Sequence, residues 1–171
     1  MATAPNFVSF DEYLNTSYSP DCEYIDGAIL ERNVGKGRHA FTQLSLGAEL
    51  RQQARSKGLV ATSDHRVRVS AMRIRIPDLC VLEQLEEVVT KPPRLCVEIL
   101  SPEDRWTRVN AAVADYQEMG VPYVWVIDPY RSRAWIFELD NPPLEVRDGN
   151  LTAPALGVEV RLIDILPPEN N

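Results

Sequence analysis

Two short apolar runs in the middle of the chain each carry one carboxylate, and this constrains the fold more than any other feature. The runs are Leu79-Cys80-Val81-Leu82, entered through Ile76-Pro77-Asp78, and Leu95-Cys96-Val97 with Ile99-Leu100, interrupted by Glu98. Short, apolar, partly β-branched runs of this kind belong to strands covered on both faces. An ionised carboxylate in such a strand is costly to desolvate unless something positive sits beside it. The two acids are 20 residues apart in sequence. If neighbouring strands present both on one side, they form an oxygen-rich pocket suited to Mg²⁺ or Mn²⁺, with waters and a phosphate oxygen in the remaining positions. An ion held there would lower the pKa of a water and neutralise charge growing on an attacked phosphate. The blander alternative is a cytosolic α/β domain in which Asp78 caps a strand and Glu98 pairs with an arginine.

The flanking sequence supplies the rest of an α/β pattern. Ser9 before Phe10-Asp11-Glu12-Tyr13-Leu14 predicts a capped short helix ending before Pro20, with Asp11 and Glu12 where the helix dipole favours negative charge. Glu23 to Leu30 predicts a hairpin turning at Asp26-Gly27. Between about 39 and 57, Phe41, Leu44, Ala48 and Ala54 fall at helical spacing before Gly58. Val60, Val67, Val69, Ile74 and Ile76 predict two or three strands whose interleaved Arg66, Arg68, Arg73 and Arg75 would make one sheet face strongly basic. A helix is expected from about Arg105 to Met119 before Gly120, then a hairpin from Tyr123 to Leu139 turning at Asp128-Pro129. Leu144 to Val146 and Val158 to Ile163 read as short peripheral strands.

At 171 residues and 44% hydrophobic content, one core and one domain over 1–171 are expected: helix and hairpin in 1–34, the core in 38–139, peripheral strands in 140–171. No run approaches the roughly 20 apolar residues of a membrane span, and Met1 to Ser9 lacks the basic and apolar regions of a secretory signal, so a cytoplasmic location is expected. Cys22, Cys80 and Cys96 form no CxxC pair and read as reduced, buried thiols; with only His39 and His65, zinc is set aside. The net charge of -7 argues against nucleic acid as a partner, but the charge is uneven. Residues 32–108 hold 14 Lys/Arg against 9 Asp/Glu, and the remainder holds 4 against 16. A basic cleft on an acidic protein is therefore available. Trp125, Trp135 and Phe137 would pack either in the core or at a homodimer interface. No groove-reading motif is evident.

Taken together, Phe10-Asp-Glu-Tyr-Leu, Glu23-Tyr-Ile-Asp-Gly27, His39 opening a helix, Arg75-Ile-Pro-Asp78-Leu, Val97-Glu98-Ile-Leu-Ser-Pro102, Tyr116, Gly120-Val121 and Tyr123-Val-Trp-Val-Ile-Asp-Pro129 form a specific pattern. It resembles the Uma-two family of restriction endonucleases, a bacterial branch of the PD-(D/E)XK nuclease superfamily. The resemblance implies a mixed α/β, restriction-endonuclease-like fold: a central mixed β-sheet flanked by helices, with an N-terminal helix and hairpin. It also implies an Mg²⁺- or Mn²⁺-dependent nuclease acting on DNA, with Asp78 and Glu98 as metal ligands and catalytic acids, and Glu23 and His39 lining the same cleft. One departure stands out. The superfamily lysine two residues after the second acid is Leu100 here, and the family's alternative position, four residues before Tyr116, is Ala112. Arg108, one helical turn earlier, is the expected substitute cation, with Lys36 and Lys91 as further candidates. The competing expectation is a scaffold that has lost cleavage and binds nucleic acid or a protein.

Overall fold

The computed structural model describes residues 7–33 and 35–168; the start of the expected N-terminal segment, residues 1–6, lies outside them. In chain order the elements are α1 (Phe10–Leu14), β1 (Cys22–Ile25), β2 (Ala28–Glu31), α2 (Gly37–Arg55), β3 (Val60–Ser63), β4 (Val67–Ser70), β5 (Arg73–Arg75), β6 (Leu79–Leu82) and β7 (Leu95–Ile99). They continue with α3 (Trp106–Met119), β8 (Tyr123–Asp128), β9 (Arg133–Glu138), β10 (Leu144–Val146), β11 (Asn150–Ala153), β12 (Val158–Arg161) and α4 (Leu162–Ile165).

Local chemistry accounts for the first elements. Ser9 Oγ accepts the Glu12 amide at 3.2 Å and caps α1. Asp26 and Gly27 have φ of 51° and 97°, the two left-handed residues of a tight turn that pairs Ile25 with Ala28. A Cβ on Gly27 would lie 2.8 Å from Cδ1 of the exposed Phe7 ring, which can move aside, so it is the φ that requires glycine.

A six-stranded sheet in the order β10-β9-β8-β7-β6-β3 forms the centre. Its β7–β8 pair is parallel and joined across α3, and the other pairs are antiparallel. The sheet is therefore mixed, as expected. β4 and β5 do not join it; they pair with the hairpin in a second sheet, β2-β1-β5-β4. One face of the central sheet packs Leu79, Val81, Val97 and Trp125 against Leu46, Leu50 and Ala54 of α2, together with β11, β12 and α4. The other face packs Cys80, Cys96, Val124 and Val126 against Val109, Ala112, Val113 and Tyr116 of α3. Strand alternation sends successive residues into these two cores. The three cysteines are buried and free.

Three expectations need correction. In α2 the inward residues are His39, Thr42, Leu46, Leu50 and Ala54, whereas Phe41 and Leu44 are 42% and 77% exposed. The first turn of α2 passes the polar end of the sheet, so its inward positions are not apolar and the stripe misleads. The arginines of β4 and β5 do not form a bare basic face either. Arg66, just before β4, pairs with Asp21, Arg73 with Asp26 and Asp115, and Arg75 with Glu23 and Asp115, because the hairpin, the residue before it and α3 bring acids over them, while Arg68 lies over the Phe10 ring and donates to the Ala71 carbonyl. Finally, the C-terminal strands are not merely peripheral, since Leu151, Val158 and Val160 are part of the core. Trp125 is fully buried, and Trp135 meets Trp106 edge-on at 4.5 Å between ring centroids. No helix among the described residues is long and apolar enough to cross a membrane.

Candidate functional site

The antiparallel register of β6 and β7 sets Leu79 against Val97. The next pair outward is Asp78 and Glu98, and directly opposed residues project from the same face with Cβ atoms about 5 Å apart. That face is the one beneath α3, shared with Cys80 and Cys96. The two acids converge at the strand ends.

Each is held by named partners. Asp78 Oδ2 accepts the Ile99 amide at 2.6 Å, and Oδ1 accepts Arg32 Nη2 at 3.0 Å and faces His39 Nε2 at 3.3 Å. Arg32, just beyond β2, also donates through Nη1 to Asp64 Oδ1 at 2.9 Å. Gln43 of α2 donates to Asp64 Oδ2 and to the Asp78 carbonyl. Glu98 Oε1 accepts the Tyr116 hydroxyl at 2.7 Å, and no cation pairs with Glu98 among the described residues. Although Glu98 keeps some solvent access, burial first, then the charges of Asp78 and Glu23, push its carboxyl well above the ordinary range.

Glu23 and Arg108 close the other side. Glu23 Oε2 accepts Arg75 Nη1 at 3.0 Å and lies 3.6 Å from Arg108 Nη2, while Oε1 accepts the Ile76 amide at 3.2 Å. Burial opposes protonation of His39, but its contact with Asp78 outweighs this and its pKa is raised. A Cβ on Gly35 would sit 2.4 Å from His39 Nδ1, so that glycine gives the imidazole its place.

Asp78, Glu98, Glu23, His39 and Arg108 therefore line one cleft, with Arg32 and Ala112. Its cavity of about 40 Å³ is room for a few waters or a partly hydrated ion. Lys36 and Lys91 are not there. Lys36 pairs with Glu103 at the surface, and Lys91 borders a separate hollow with Glu83 and Glu86. The sequence alone does not mark Arg32 as a site residue, and it presents Tyr116 as part of the family pattern rather than as the hydrogen-bond donor to Glu98. Neither has a local signal, because both act through long-range pairing.

Among the described residues, no group of three or more His, Cys, Asp or Glu forms a ready-made metal cage. Two opposed carboxylates, one of them raised by burial and then by its like-charged neighbours, instead match the donor set of Mg²⁺, which is held by one or two carboxylates and keeps several waters.

The fold also recurs among solved structures. The chain is similar to the protein titled "Crystal structure of a putative nuclease belonging to DUF820 from Anabaena variabilis ATCC 29413", with a TM-score of 0.83 at 19% identity, over 92% of this chain and 97% of that one. A search of curated proteins finds no match. The sequence itself matches the Uma2 family, described as "Putative restriction endonuclease", over residues 9–163. That match runs from the cap of α1 into α4 and includes every residue of the cleft, so the chain belongs to the Uma2 family.

Proposed function

We propose that this cleft is the active centre of a divalent-metal-dependent endonuclease that hydrolyses DNA phosphodiester bonds. The observation that carries the reading is the opposition of Asp78 and Glu98 on one sheet face, with the Glu98 carboxyl raised by burial and then by its like-charged neighbours and without a cationic partner among the described residues. Family membership and fold support a nuclease; the metal, the DNA preference and the residue roles are the proposal.

Asp78 and Glu98 would hold Mg²⁺ or Mn²⁺, which when bound supplies a more acidic water and stabilises charge on the attacked phosphate. The chain's own residues orient the pair. The Ile99 amide and Arg32 fix the Asp78 carboxylate from two sides, Tyr116 fixes Glu98, and His39 braces Asp78 from α2. Glu23, locked by Arg75 and the Ile76 amide, walls the cleft and holds Arg108 at its rim, where a guanidinium can meet a substrate phosphate as an electrophilic helper. Position 112 bears directly on a second reading, a catalytically inactive nuclease fold that binds nucleic acid or a protein. Ala112 is buried on the cleft wall, where the family's cation is expected.

Incubating purified protein with supercoiled plasmid over a range of Mg²⁺ and Mn²⁺ tests the first reading, with calorimetric Mn²⁺ titration beside it. Nicking and a specific Mn²⁺ heat, both lost in Asp78→Asn, are expected. Silent wild-type protein that begins to nick as Ala112→Lys would establish the second reading.

A further inference from the structure

Resting on the nuclease reading, the geometry points to Arg32 as the cation that receives the substrate phosphate in this cleft, in place of the side chain missing at Ala112. Arg32 is the only Lys or Arg among the described residues that pairs with Asp78, and none pairs with Glu98. It reaches Asp78 from the end of the hairpin, 46 residues away in sequence, and its side chain is 17% exposed on the cleft wall. By contrast, Arg108 sits 3.6 Å from Glu23, an acid that Arg75 already neutralises, and its side chain is 32% exposed.

The hydrogen bonds of Arg32 show how it would serve. A guanidinium offers five N–H donors in a planar fork. Two are used in the free protein, Nη1 on Asp64 and Nη2 on Asp78, so three, Nε–H among them, have no acceptor among the described residues. The two aspartates fix the plane of the fork, and the spare donors are left for a phosphodiester oxygen beside the acid pair. Lysine, with its charge at a single point, could not make both aspartate contacts in this geometry and still present a fixed edge. Asp64 is itself held by Gln43, so the fork is anchored from α2 as well as from the strand end.

Arginine side-chain NMR on the wild-type protein tests the assignment directly. Dimethyl phosphate, a minimal phosphodiester, is titrated in without metal while the Nε–H signals of Arg32 and Arg108 are followed, assigned with Arg32→Lys and Arg108→Lys. A saturable shift of the Arg32 signal is expected. In parallel, binding of a 20-base-pair DNA duplex is measured against salt. Arg32→Gln should reduce the slope of log Kobs on log salt by about 0.9, the contribution of one phosphate contact, and weaken binding by about tenfold, while Arg32→Lys, which keeps the charge but not the fork, keeps the slope and loses part of the affinity. A purely structural Arg32–Asp78 pair would leave the slope unchanged. If Arg32→Gln fails to fold, the wild-type titration still decides. An unmoved Arg32 signal, whether or not the Arg108 signal shifts, or an unchanged slope in Arg32→Gln, overturns this inference and leaves the nuclease reading standing. Wild-type protein that neither binds the duplex nor nicks plasmid overturns both.

Discussion

Two charged clusters meet beneath the N-terminal hairpin, and they are built on opposite principles. In the first, Asp26, Arg73, Asp115, Arg75 and Glu23 alternate in sign through a chain of ion pairs. Both oxygens of Asp115 take an arginine, and both oxygens of Glu23 take a donor. In the second, Asp64, Arg32, Asp78 and His39 balance one another, but Glu98 is added with only a tyrosine hydroxyl for company. Buried charge that is fully matched serves the fold; buried charge left with a like-charged surplus on a cleft marks chemistry. The boundary between the clusters runs through Glu23, which is matched by Arg75 and yet lines the cleft.

The largest effect expected from breaking the contrast is on the cleft side. Asp78→Asn should lower metal-dependent nicking by about a thousandfold or more, roughly 4 kcal/mol of barrier, with a stability loss well below that because Arg32 keeps Asp64. Equal losses of nicking and stability would mean that Asp78 belongs with the structural cluster. On the other side, Arg75→Ala strips the common partner from two buried carboxylates, leaving Asp115 with Arg73 alone and Glu23 with the Ile76 amide and the 3.6 Å contact of Arg108. Urea unfolding should show a loss of about 3–5 kcal/mol. A cost under about 1 kcal/mol would show that the matched network is not structural.

Glu98 differs from the matched acids in that removing its charge should help the fold. Its folded pKa is raised, chiefly by burial and then by Asp78 and Glu23, whereas in the unfolded chain a glutamate titrates near about 4.3. Between those values the folded state keeps a proton that the unfolded state has released, so stability falls as pH rises through this range. Glu98→Gln, which can still accept from Tyr116, should abolish that fall. It should raise Tm at neutral pH by about 2–4 °C while eliminating nicking. A lowered Tm would mean that Glu98 is compensated after all.

The contrast between the clusters explains what could be read from the sequence. The Asp26-Gly27 turn, the runs of β6 and β7 and the stop of α3 at Gly120 are specified within a few residues by φ preference and periodicity, and they were legible. The opposition of Asp78 and Glu98 needed only the additional premise that two apolar runs pair. Arg32 was not legible, because nothing near it distinguishes it from any surface arginine; only the path of the hairpin carries it to Asp78. The inward face of α2 failed for a related reason. Its first turn meets the polar strand ends and its later turns meet aliphatic core, so His39 and Thr42 replace the apolar residues that a uniform stripe assumes. Arg66, Arg73 and Arg75 likewise read as a basic surface until Asp21, Asp26, Glu23 and Asp115 are folded over them.

The smallest effect tests where His39 belongs. Burial disfavours its charged form, but the hydrogen bond and charge of Asp78 prevail and raise its pKa, with Asp104 adding to the rise and Arg32 opposing it. Below about 6.5 both folded and unfolded states carry the imidazolium and the stabilisation is fully present. As pH climbs through the raised folded value it is lost. His39→Gln should therefore cost about 0.5–1 kcal/mol at pH 6 and progressively less above it, measured as urea midpoints across the range. Because His39 contacts Asp78 and not Glu98, the same substitution should leave the pH dependence attributed to Glu98 intact. If both slopes vanish together, the imidazole and the surplus carboxyl titrate as one unit, and the division between a balanced Asp78 and an unbalanced Glu98 would have to be redrawn.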